Sequence, residues 1–451
     1  MEFVDCPGKG SLSGSAIIPA MRAFVRVRLA VAVVLVLAAC VGPSRQRKKS
    51  VAELMAAGDY ASAAAAIHAA RDEYGTSNRV LYHLDLAMAL HLAGRYADSN
   101  TYFTAAENRM EELYTRSVSR MAGSLMANEN VEEYRGTAFD RVLAHVFHAL
   151  NFVQLGRLDE ALVEVRRVEA FLDERGRSAR EGSVAYRDDA FARYLAALVY
   201  EEGGKSDDAR ISYEAAIRAY RDYERVFQIR PPGFPFPADL GADGEIVFIH
   251  YAGPAPRKKS VTSSDVPAVA ASTGPAAARH GGFLGQTLDR SVSAAKAAAS
   301  ATGAALSGAA GAVLGAAHPE YEPASFRVRR SRIEVGPAVA ETAAVEDIDA
   351  IARQELAERL AALKTRSAAR AAVKLLGTVT GVDATGSEFS DVRGWQTIPS
   401  QIRLARVRLP AGEHSLTVRY LDETGSVVAS GGRSVRVNAG RRTWIIERTA
   451  D

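Results

Sequence analysis

Apolar residues recur at helical spacing from about residue 50 to residue 230, then at alternate or consecutive positions. The first stretch is rich in Ala, Leu, Glu and Arg and meets no proline until Pro231, which predicts a run of helices across 51–230. Arg230-Pro231-Pro232-Gly233-Phe234-Pro235-Phe236-Pro237 stops the helices and reads as a stiff linker over 231–243. Gly244 to Tyr251 is β-branched and aromatic, a buried strand within 244–259. Residues 260–317 form an Ala/Gly/Ser-rich low-complexity segment. Its Gly311-Ala312-Val313-Leu314-Gly315 has the small-xxx-small spacing of paired membrane helices, but alanine and glycine give little transfer energy, so a peripheral segment is expected. Within the mixed segment 318–390 a helix is expected from Val345 to Leu376, with Ile348, Ile351, Leu356 and Leu360 on its apolar side. Residues 391–451 alternate through Ile402–Arg408, His414–Tyr420, Val435–Val437 and Trp444–Ile446 between tight turns, predicting a small β-sandwich.

The helical stretch carries a recurring unit. Gly94-Arg95-Tyr96 is preceded by Ala87 and Leu90 and followed by Ser99, Phe103 and Ala106. Gly156 repeats this with Ala149 and Phe152 before and Ala161, Val165 and Val168 after; Gly204 does so with Ala197, Tyr200, Ala209, Tyr213 and Ala216. A fainter copy centres on Gly58-Asp59-Tyr60, with Ala63, Ile67 and Ala70. Small residues allow close helix approach, aromatics fill the remaining space, and glycine supplies the positive φ that ends a helix. The unit resembles the helical hairpin of tetratricopeptide arrays, though the turns lie 36, 62 and 48 residues apart and only the first interval is near the usual 34 or so. Such arrays present a concave groove to peptides, which makes Asn151, Arg187 and Arg193 candidate partner-binding residues.

The N-terminus reads as a targeting segment. Arg22, Arg26 and Arg28 precede a short apolar run, Leu29–Leu37, too brief to span a bilayer. Leu37-Ala38-Ala39-Cys40 resembles the lipobox of bacterial lipoproteins, which implies cleavage before Cys40 and lipidation of its thiol. Residues 21–39 are then the signal peptide, 40–50 the lipidated cysteine and a basic tether, and 1–20 a misassigned upstream start before Met21. Val41, where aspartate would signal retention, implies the outer membrane. Two or three acyl chains anchor stably where one does not.

Composition narrows the function. With 56 basic and 53 acidic residues the net charge is +3, too near neutral to point to nucleic acid. Cys6 and Cys40 both fall in segments expected to be removed or lipidated, so no disulfide framework or thiolate metal site is expected. GxSxG, GxxxxGK[ST], GxGxxG and HExxH are all absent from the sequence. His145 and His148 lie i, i+3 with no acid at a zinc-motif position, so packed histidines and no metal are expected. Asp188-Asp189 and Glu201-Glu202 read as solvated faces.

Five stretches together resemble a family of bacterial tetratricopeptide-repeat-containing lipoproteins: Leu92 to Asn100, His148 to Phe152, Ala161 to Arg167, Tyr186 to Leu195 and Asp391 to Pro399. The last part, with "LPAGEH" and "VRVNAG", resembles surface modules carrying PEGA-type motifs. The resemblance implies an architecture and no catalytic residues. The expected fold is α+β: an N-terminal α-helical tetratricopeptide-like array, a mixed segment, and a small C-terminal β-sandwich-like domain. The expected function is a non-enzymatic, lipid-anchored scaffold or adaptor on the periplasmic face of the outer membrane. It needs no cofactor, and its partners are proteins or peptides rather than nucleic acid or a small-molecule substrate. Two alternatives stay open: a structural component of a secretion or surface-polysaccharide export assembly, and a cell-wall enzyme or an activator of one.

Overall fold

A computed structural model describes residues 43–120, 132–178, 186–233, 240–262, 317–360 and 390–450. The upstream start, the signal segment, Cys40 and most of the low-complexity segment lie outside the described residues. The chain divides into two compact units, Met1–Ser50 and Val51–Asp451. The boundaries expected at 231–243 and 391 both fall within the second unit.

The class is α+β, as expected. The helices are α1 (Pro43–Ala56), α2 (Tyr60–Ala69), the single turn α3 (Arg71–Tyr74), α4 (Arg79–Leu92), α5 (Tyr96–Arg120), α6 (Ala138–Gln154), α7 (Leu158–Ser178), α8 (Ala190–Glu202) and α9 (Ser206–Phe227). Three hairpins result, α4/α5, α6/α7 and α8/α9, turning at Gly94, Gly156 and Gly204. All three glycines have φ between 66° and 74°, and a Cβ there would meet nothing within 4 Å, so conformation and not space selects glycine. Each turn closes in the same way. The N–H after the glycine donates to the carbonyl five residues back, Arg95 to Leu90 at 2.9 Å, Arg157 to Phe152 at 2.8 Å and Lys205 to Tyr200 at 2.8 Å. Ala87, Phe103, Ala149, Ala161, Ala197 and Ala209 are buried where the repeating unit places them.

The strands are β1 (Asp243–Ala252), β2 (Lys258–Thr262), β3 (Ala317–Tyr321), β4 (Arg330–Val335), β5 (Ala338–Glu341), β6 (Ala343–Asp347), β7 (Gln401–Pro410), β8 (Gly412–Leu421), β9 (Val427–Val437) and β10 (Arg442–Thr449). One sheet has the order β10-β1-β7-β6, a second β5-β4-β8-β9, and β2 pairs with β3. Within the first sheet β1 runs parallel to β10, Glu245 opposite Arg442, and antiparallel to β7. The sandwich is therefore not built from 391–451 alone; it recruits β1, β4, β5 and β6 from earlier in the chain. The helix expected from Val345 begins at residue 348, because Ala343–Asp347 pairs with β7 as β6 and Asp347 then accepts the Ala350 N–H at 2.9 Å, capping the helix. This helix, α10, is described to residue 360.

The first sheet is covered on both faces. Ile246, Phe248, Val407 and Leu409 meet Ile333, Val335, Leu416 and Val418 of the second sheet. Val247, Ile249, Tyr251, Ile402 and Leu404 point the other way, into a core shared with Leu84, Phe147, Phe191 and Tyr220 of the helices. A strand buried on both faces reads as an unbroken apolar run, which is why β1 has that sequence. Three layers follow: helical hairpins, central sheet, outer sheet.

Candidate functional site

The leading helices of the hairpins, α4, α6 and α8, form the face where a groove was expected. Here the chain's own central sheet covers it. Asn151 is fully buried. It donates to Ser99 Oγ at 2.8 Å, and its Oδ1 lies 2.6 Å from His91 Nδ1. His91 Nε2 lies 3.2 Å from the Tyr251 hydroxyl on β1, and burial holds the imidazole neutral, its pKa pushed down to about 4. Arg193 is also buried, donating to Asp188 at 2.9 Å and Asp173 at 2.6 Å. Of the three sequence candidates only Arg187 is exposed.

Nearby, Asp391–Pro399 docks on α4. Asp85 Oδ1 accepts the Gln396 N–H at 2.8 Å, and the Trp395 indole N–H donates to Thr397 at 2.9 Å. Trp395 packs edge-on to Phe103 and Phe147. The acidic pairs are not solvated faces. Asp189 caps α8 by accepting the Ala192 N–H at 2.6 Å, and burial pushes its pKa up to about 6. Glu201 and Glu202 instead face Arg442 of β10, at 2.7 and 3.4 Å.

A cavity of about 890 Å³ opens between α5, the start of α6, and α7. Arg135, Arg141, Arg167, Arg175 and Arg187 surround it, with Glu107, Glu111 and Glu174. Its wall is held firmly at the start of α6 by a reciprocal cap: Thr137 Oγ1 accepts the Asp140 N–H at 3.2 Å while Asp140 accepts the Thr137 N–H at 2.8 Å. The Arg141 guanidinium lies 4.7 Å from the Phe171 ring and pairs with Glu111.

The inner end of this cavity brings together residues that the sequence leaves apart. His145 Nδ1 lies 2.8 Å from Glu164 Oε2 and 3.3 Å from Glu107 Oε1. His148 Nδ1 lies 3.0 Å from the same Glu107 oxygen and 3.6 Å from the same Glu164 oxygen. Glu107, Glu164 and His148 side chains are all under a tenth exposed, His145 16%. Burial alone would lower the His145 pKa, but the two carboxylates hold it above its ordinary value. Only the two histidines were recognised from sequence, because the acids come from α5 and α7. One signal existed: Glu107 follows buried Phe103 and Ala106 on α5, and Glu164 sits between buried Ala161 and Val165 on α7. An acid that interrupts an apolar stripe needs a partner inside.

No family profile, curated protein or solved structure matches the chain. Among the described residues, no helix is long and apolar enough to cross a membrane.

Proposed function

We propose that the chain is a lipid-anchored adaptor of the cell envelope, its hairpins tetratricopeptide-like repeats, and that it holds a protein partner at the mouth of the α5–α7 cavity. The observation that carries this reading is the division of surfaces. The inner face of the array is taken up by the central sheet, whereas the cavity is open and ringed by five arginines. Arg141 and Arg167 already pair with Glu111 and Glu164, and a guanidinium-rich rim of this kind suits the carboxylates of an acidic peptide segment as further acceptors. The anchor rests on the Arg22–Cys40 pattern.

The test is site-specific photo-crosslinking in intact cells. A photoreactive residue in place of Arg187 is compared with one in place of Val427, an exposed position on the outer sheet. A discrete adduct from position 187 alone is expected; adducts from neither or equally from both refute the docking site. Fatty-acid labelling of the wild type but not of Cys40→Ala is the companion result for the anchor.

A further inference from the structure

The geometry points to a divalent-cation site formed by Glu107, His145 and Glu164 at the inner end of the cavity, with His148 beside it, of the imidazole–carboxylate class that zinc occupies. Zinc bonds to nitrogen and oxygen are about 2.0–2.2 Å long, which sets neighbouring donors roughly 3–3.5 Å apart. His145 Nδ1 lies 2.8 Å from Glu164 Oε2 and 3.3 Å from Glu107 Oε1. Glu107, His145 and Glu164 offer donor atoms that all lie within 4.8 Å of one another. An ion at their centre would displace the proton that His145 shares with the carboxylates.

Three features make the cluster more than a chance ion pair. Its members come from three different helices, each fixed by packing, so little order remains to be imposed on binding. Arg167 donates to Glu164 Oε1 at 2.8 Å, which orients the carboxylate and leaves Oε2 turned to the histidines. Glu107 and His145 line the cavity, providing an entry path and room for water as a further ligand. The His145 imidazole weighs against calcium and magnesium, which prefer all-oxygen shells. Such a cation would pin α5, α6 and α7 together while keeping one position open to the cavity.

The experiment uses the purified full chain in mild detergent, stripped with chelator and titrated calorimetrically with Zn²⁺, with Co²⁺ as an optical probe. One equivalent of Zn²⁺ per chain is expected, with a raised Tm and Co²⁺ ligand-field absorption in the visible. His145→Ala and Glu164→Gln should each weaken binding by at least about tenfold, whereas Glu214→Gln, exposed on α9, should leave it unchanged. Absence of uptake by the wild type, or equal uptake by both variants, overturns the site. Should a variant fail to fold, the wild-type Co²⁺ spectrum decides alone: no ligand-field band refutes the assignment.

Discussion

Glu245→Ala should destabilise the protein more than any loss of surface charge. Glu245 is 5% exposed and accepts three charged bonds: Arg406 Nε at 2.8 Å, Arg406 Nη2 at 2.9 Å and Arg442 Nε at 2.9 Å. Arg406 also donates to the Tyr194 hydroxyl at 3.0 Å, and Arg442 faces Glu201 and Glu202. One carboxylate therefore binds β1, β7 and β10 together and links them to α8. Removing it strips a bidentate partner from a guanidinium that is 4% exposed. Breaking a buried pair from one side costs about 3–5 kcal/mol, against about 1 kcal/mol or less for an exposed pair. Urea unfolding at neutral pH, followed by far-ultraviolet circular dichroism, measures the loss. The double variant Glu245→Ala/Arg406→Met removes both halves of the bidentate pair and should be less damaged than Glu245→Ala alone. A single-variant loss under about 1 kcal/mol, or a double-variant loss equal to the sum of the two singles, would refute the reasoning.

His250 is fully buried between Thr449 at 2.9 Å and Ser331 at 3.1 Å, and burial, aided by Arg403, pushes its pKa down to about 3. The unfolded chain thus binds the extra proton below pH 6.5 or so while the folded chain resists, and stability is lost as pH falls from there towards 3. His250→Gln should make that acid limb shallower by up to about 1.4 kcal/mol per pH unit; an unchanged slope in urea unfolding from pH 6.5 to 4.5 would remove the histidine from the account. The β2–β3 pairing sets Thr262 opposite Ala317, so the two positions that flank residues 263–316 are neighbours. Replacing them by a two-residue turn should keep cooperative unfolding and add up to about 3 kcal/mol, since each halving of a loop recovers only about 0.6 kcal/mol. A non-cooperative melt would show that the segment is needed by the core.

The helical hairpins were legible because one local signature, small residues around a positive-φ glycine, recurs wherever a hairpin turns. The strands β1, β7, β8 and β10 were legible from alternation or from an unbroken apolar run. The β4–β5 hairpin was not, because Arg330–Val335 is short and Val339 is exposed, so neither strand offers a long pattern. The apolar positions Ile348, Ile351, Leu356 and Leu360 predict a helix from Val345, but the ladder to β7 holds Val345 in a strand. What covers the inner face of the hairpins could not be read from the hairpins themselves. Apolar and polar spacing says that a face is buried and not by what. Asn151 and Arg193 looked like recognition residues because polar side chains on a leading helix usually face solvent; here they are satisfied inside. The Glu107–Glu164 pair was hidden by distance along the chain, since it takes three packed helices to bring it to His145 and His148.

The parallel partnership of β1 with β10 has a bearing on how the chain reaches its final form. Glu245 and Arg442, side by side in the sheet, are 197 positions apart in sequence. The hairpins make near-neighbour contacts and can form early, whereas the sheet waits on distant partners and pays their loop-closure entropy first. Leu84, Phe147 and Phe191 of the hairpins are covered only once the sheet is in place. The order of assembly is therefore set by the sheet: closing β1 on β10 is the step that covers this apolar face.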